Sequence, residues 1–191
     1  MSNAYLSRAH VHALSDEIGR QSPAEQAALQ RMLKEQRRLT RFVEENQKNL
    51  LPPTASVCVY LFGVIARIFD RSSGRLKAAT WEQVRDAEAK VGGAMASILP
   101  LDAGFKDRIR AIEWRAQPHI LDEALMALFD RPTAAEEEEL PKDELFKVFA
   151  LMWVATEVLD DCWKPAAGFQ GETAYTYVHI EPTPIEPAPA G

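Results

Sequence analysis

The 191-residue sequence predicts an all-α protein: an irregular or orthogonal bundle of six to seven helices with two deeply buried central helices, followed by an extended Pro-rich C-terminal tail with room for one short strand. Three observations carry this reading. Prolines partition the chain, capping patterns stand at several of the partition points, and two long segments are apolar nearly all round. Proline lacks an amide donor and clashes with the preceding turn, so it belongs at helix starts or beyond helix ends. Eight of the twelve prolines fall between Pro23 and Pro165 and delimit segments of helical length, while the other four crowd the chain from Pro182 to Pro189. The partition implies one helical domain over residues 1–164 and an extended tail over 165–191.

Ser22-Pro23-Ala24-Glu25 joins an N-cap serine, a proline at the first helical position and a glutamate at the third, which together satisfy orphan amides at a helix start. A long helix is expected from there to about Asn49. Along it Leu29, Met32, Gln36, Leu39, Val43, Asn46 and Leu50 recur at heptad spacing, a narrow stripe suited to partner helices. The amino-terminal stretch before it, with His10-Val11-His12, reads as a frayed end.

After Pro52-Pro53 the run from Val57 to Phe69 is apolar on almost every face and longer than an ordinary strand of ~5–6 residues, so it reads as a buried central helix closed by the turn Asp70–Gly74. Thr80-Trp81-Glu82-Gln83 forms a capping box that opens a helix to about Leu99. Asp102 can cap a helix to about Trp114, and Pro118 starts another that ends near Phe129. Thr133-Ala134-Ala135-Glu136 is a further capping box, with Glu136–Glu139 where a helix amino-terminus favours negative charge. The last helix, from near Pro141 to Trp163, leaves only a thin polar stripe and is the second buried element. Beyond it, Tyr175–Ile180 has strand propensity ahead of a polyproline-like end.

Composition narrows the function classes. A net charge of −6 disfavours general nucleic-acid affinity, since phosphate binding needs a positive surface. No basic-then-apolar leader with a cleavage site is present, and the apolar run Val57–Ala66 is half of the ~20 residues that a membrane span needs. Cys58 and Cys162 sit in apolar surroundings and cannot form a CxxC site, which fits free thiols in a reducing, cytoplasmic compartment.

Three polar groupings call for an explanation. Glu157, Asp160 and Asp161 share one side of the last helix at its carboxyl end, where the helix dipole disfavours carboxylates. A divalent cation or arginines from neighbouring helices would compensate them. On the central helix, Ser56, Tyr60, Gly63 and Arg67 continue through Asp70 or Arg71 as one polar line, which faces water, a buried network or a pocket that reads an anionic small molecule. Arg31, Lys34, Arg38, Arg41 and Lys48 lie opposite the heptad stripe, a basic surface for an acidic partner. Residues 1–50 carry eight basic and six acidic side chains, whereas residues 131–191 carry four and twelve, so a second copy of the chain qualifies as that partner. Aromatic residues are not interleaved with the basic stripe, a further point against nucleic acid.

No nucleophile triad, phosphate loop or Glu-x-x-His pair occurs, and no cofactor is called for. His119 and Glu123 are spaced for a local i,i+4 pair. The leading expectation is therefore a non-enzymatic cytoplasmic module that binds protein or itself, as a homodimer through the heptad helix or the tail strand. A metal-dependent hydrolase using Glu157, Asp160 and Asp161, and a small-ligand sensor whose pocket includes Ser56, Tyr60 and Arg67, are the alternatives.

Overall fold

The computed structural model describes residues 3–130 and 139–181. Among them the chain forms eight helices: α1 (Arg8–Gly19), α2 (Pro23–Glu35), α3 (Arg37–Gln47), α4 (Pro52–Arg71), α5 (Trp81–Ile98), α6 (Phe105–Arg110), α7 (Pro118–Phe129) and α8 (Lys142–Cys162). Two three-residue strands, β1 (Gly74–Leu76) and β2 (Trp163–Pro165), pair antiparallel with Arg75 opposite Lys164. Gly74 takes φ +153°, and a Cβ there would sit 2.5 Å from the Lys164 carbonyl oxygen, so this close approach requires glycine.

The two predicted central helices are the centre of the fold. α4 and α8 pack on each other, α4 also receives α1, α2 and α3, and α8 also receives α3, α5 and α7. By length and composition α4 could cross a membrane. Its apolar side chains have a different use here, since every residue from Leu61 to Phe69 is buried in the body. Trp153 of α8 is fully buried and stacks on Trp114 at 5.3 Å between ring centroids. Cys58 and Cys162 are both free and buried, and burial pushes their thiols up to about 12 and about 11.

The amino-terminal stretch is a helix, not a frayed end. Ser7 Oγ accepts from the His10 amide at 3.3 Å, and Val11, Leu14 and Ile18 bury one face of α1. A second correction concerns the long helix expected to reach Asn49, which breaks at Gln36 (φ −91°, ψ +36°) into α2 and α3. The Gln36 side chain is buried and reaches across the fold, donating to the Lys77 carbonyl at 2.8 Å and accepting from the Ala79 amide at 3.0 Å. Met32, Leu39 and Val43 of the heptad stripe are buried within this same chain.

The helix expected from Asp102 to Trp114 shortens to the six residues of α6. Gln117, in the left-handed region (φ +42°), then turns the chain into α7. The capping box predicted at Thr133–Glu136 and the glutamates through Glu138 lie outside the described residues, as does the proline run from Pro182.

The strand expected at Tyr175–Ile180 does not form; the bridge between Glu172 and Tyr5 lies just ahead of it. The segment lies instead against α6 and α7. Tyr175 donates to Asp122 at 2.9 Å, His119 Nε2 and Glu172 are 2.8 Å apart, and the Arg110 guanidinium stands 3.8 Å from the Tyr177 ring centre. Burial raises the Tyr175 phenol to about 12. His119 thus does not pair with Glu123, which takes Arg8 and, at 3.1 Å, His12.

Candidate functional site

The polar line on α4 opens onto one cavity. Ser56, Tyr60, Gly63 and Arg67 all line a space of about 540 Å³ between α4, α2 and the ends of α1 and α3. Its remaining walls are mainly apolar, with Ile18, Leu29, Ala55, Val59 and Val64 on them. Gly63 sets the floor, because its missing side chain lets Leu29 of α2 come within 3.0 Å of where a Cβ would be. The size and the ratio of apolar wall to polar contact are those of small-molecule sites, which span ~300–1,000 Å³.

Charges at this cavity are paired within the protein. Glu25 of α2 accepts from Arg67 Nε at 3.0 Å and from Arg71 at 3.3 Å, while Arg67 also pairs with Asp70 and Arg71 also reaches Glu17 at 2.8 Å. The hydrogen bond from Arg67, with the charges of Arg67 and Arg71, holds the Glu25 carboxyl below its usual range. An anionic ligand therefore meets a guanidinium whose charge two carboxylates already balance. What the wall does offer is an acceptor: Ser56 Oγ donates to the Pro52 carbonyl at 3.0 Å, and its lone pairs have no donor among the described residues.

Glu157, Asp160 and Asp161 lie on a second cavity, of about 490 Å³, between α5, α8 and the turn before α7. Each is engaged by protein donors. Glu157 accepts from the Ala116 amide at 2.7 Å, from Trp153 Nε1 at 3.1 Å and from Lys90 Nζ at 2.6 Å. Asp160 accepts from Gln117 Nε2 at 2.8 Å and from Asn3 Nδ2 at 3.3 Å, and Asp161 from Gln83. The compensation expected from arginines comes from one lysine and five neutral donors. Burial pushes the Asp160 carboxyl up, partly offset by Gln117 and Asn3, and the neighbouring Glu157 charge adds to the rise. No group of three or more His, Cys, Asp or Glu is placed to hold a metal ion among the described residues.

The basic stripe does not run straight. The break at Gln36 leaves Arg31 and Lys34 on α2, puts Arg38 and Arg41 on α3, and makes Lys48 the C-cap of α3; all five are exposed. Arg38 and Arg41, joined by Arg37, line a surface cavity whose fourth lining residue is Trp81 at the start of α5. The aromatic residue missing from the stripe in sequence is thus supplied from another helix.

Several residues of these sites carry no signal of their own in the sequence. Gln47, Lys90, Asn3 and Gln117 are ordinary polar residues until tertiary packing sets them beside α4 or α8. The chain matches no family model, no curated protein and no solved structure.

Proposed function

We propose that this chain is a regulatory module that takes an uncharged amphipathic small molecule in the α2–α4 cavity. The observation that carries the reading is the convergence of Ser56, Tyr60 and Arg67 on one apolar-walled space, where the Ser56 hydroxyl keeps its acceptor lone pairs. Because Glu25 and Arg67 neutralise each other there, a ligand with an apolar body and a hydrogen-bond donor suits the site better than either ion. The engagement of Glu157, Asp160 and Asp161 by protein donors favours this cavity over the metal-dependent hydrolase reading.

A protein-partner role has its own support at the same place. Val59 and Tyr60, at the rim, and Leu51 at the start of α4 keep 44%, 42% and 50% of their surface exposed, which gives a partner or a second copy an apolar face beside the ligand. Occupancy of the cavity would then alter that face. The two buried free thiols fit a cytoplasmic setting.

Titration with 1-octanol, octylammonium and octanoate tests the ligand reading. Saturable binding is expected, tightest for the alcohol and lost in Ser56→Trp, where an indole fills the cavity from an exposed helix position. Equal binding to the variant, or none by any of the three probes, would overturn it. Mass measurement with and without 1-octanol tests the partner face: a ligand-dependent dimer supports self-association, and an unchanging monomer opposes it.

A further inference from the structure

The Arg37, Arg38, Arg41 and Trp81 cavity lies apart from the α2–α4 cavity, with no lining residue in common, and has a different chemistry. It encloses about 500 Å³, and its four lining residues are three guanidinium side chains and one indole, with no carboxylate. Among the described residues Arg37 has no ion-pair partner, and Trp81, 39% exposed, makes no ring contact with an aromatic or a cation. Arg38 is steadied by one hydrogen bond to the Ala79 carbonyl at 3.2 Å, and Arg41 gives only its Nε to Glu45, at 2.8 Å. Donors on all three therefore remain for a ligand. The exposed indole beside them is the kind of group that stacks on a base in nucleotide and single-strand sites.

The arrangement is built, not incidental to a charged helix. Buried Gln36 breaks the α2–α3 helix and grips Lys77 and Ala79 with both ends of its amide. That grip holds the linker two residues ahead of Trp81 against the start of α3, where Arg37 and Arg38 stand in the first turn and Arg41 follows in the second. The Thr80 capping box then fixes the start of α5 at Trp81.

We infer that this cavity binds a nucleoside polyphosphate, with the base on Trp81 and the phosphates on Arg37, Arg38 and Arg41. Guanidinium forks match phosphate oxygens in pairs, so three of them suit more than one phosphate group. One indole serves one base, and the net charge of −6 supplies no track for a longer strand, so the site takes the free nucleotide.

The test uses the full chain at about 0.1 M salt with ATP, tripolyphosphate, adenosine and a single-stranded oligoadenylate as probes. ATP is expected to bind saturably and about tenfold tighter than tripolyphosphate, the increment of one stacked base. Trp81→Ala should bring ATP to the level of tripolyphosphate, with Trp81→Phe restoring most of the difference. The double change Arg37→Ala with Arg41→Ala, both exposed, should weaken ATP and tripolyphosphate alike. Ser56→Trp should leave all of this unchanged, which separates the inference from the α2–α4 cavity. Equal affinity for ATP and tripolyphosphate, no effect of Trp81→Ala, no saturable binding at millimolar ATP, or oligoadenylate binding more than tenfold tighter than ATP would each overturn it.

Discussion

The α2–α4 and α5–α8 cavities treat their carboxylates in opposite ways. In the α2–α4 cavity Glu25 is only partly buried and is met by two arginines, so its carboxyl is held below the usual range. In the α5–α8 cavity Asp160 is buried among neutral amide donors with Glu157 beside it, so its carboxyl is raised. The first arrangement neutralises charge and leaves a mainly apolar chamber with the Ser56 hydroxyl on its wall. The second makes polar groups part of the packing, tying α5, α8, the Gln117 turn and the amino-terminal segment together. Acidity alone therefore does not mark a functional site in this fold; what matters is whether the protein has already satisfied the group.

Replacing Glu157 should break that contrast most severely. Glu157→Ala orphans the Ala116 amide and Trp153 Nε1, two buried donors, and is expected to cost about 3 kcal/mol in chemical denaturation. Glu157→Gln keeps an acceptor and should lose clearly less; equal losses would mean that packing, not hydrogen bonding, explains the site. Arg67→Met comes next, at about 1–2 kcal/mol, because Glu25 keeps Arg71 and Asp70 is well exposed. A neutral stability effect would show that the guanidinium is dispensable to the α2–α4 junction.

The smallest effects are in pH dependence, and their signs are opposite. Glu25 has a lowered carboxyl, so its contribution is complete above the unfolded value near 4.5 and is lost as pH falls through the lower folded value. The stability advantage of the native chain over Glu25→Gln should therefore shrink on acidification below pH 4.5. Asp160 has a raised carboxyl, so its contribution is complete below the unfolded value near 3.8 and is lost as pH rises through the folded value. Relative to Asp160→Asn, the native chain should gain stability as pH falls toward 3.8. Parallel denaturation series for the two pairs measure this, and slopes of the same sign would undo the comparison.

Much of the α2–α4 cavity was legible in advance because one helix carries it. Ser56, Tyr60, Gly63 and Arg67 recur at three- and four-residue offsets, so α4 alone brings them to one line, and the apolar remainder of α4 shows which faces are buried. The capping boxes and prolines likewise placed α4, α5, α7 and α8 within a few residues. What stayed hidden depends on contacts distant in sequence. The Gln36 break follows from hydrogen bonds to residues 77 and 79, and the neutral partners of Asp160 come from Asn3 and Gln117. α1 does carry a local signal, Ser7 with Val11, Leu14 and Ile18, in a stretch that its two histidines make resemble a frayed end. The Tyr175–Ile180 strand fails for a physical reason: Tyr175 and Tyr177 find partners on α7 and α6, and among the described residues no long sheet edge receives it.

The most direct test of the account is to see where a neutral amphipathic probe binds. Titration of the isotope-labelled chain with 1-octanol, followed by backbone amide shifts, should give saturable changes at Gln47, Ser56, Gly63 and Arg67, with Gln83, Lys90 and Asp161 unmoved. Saturable changes centred on the α5–α8 cavity, or none at α4, would contradict the assignment of the α2–α4 cavity as the ligand site.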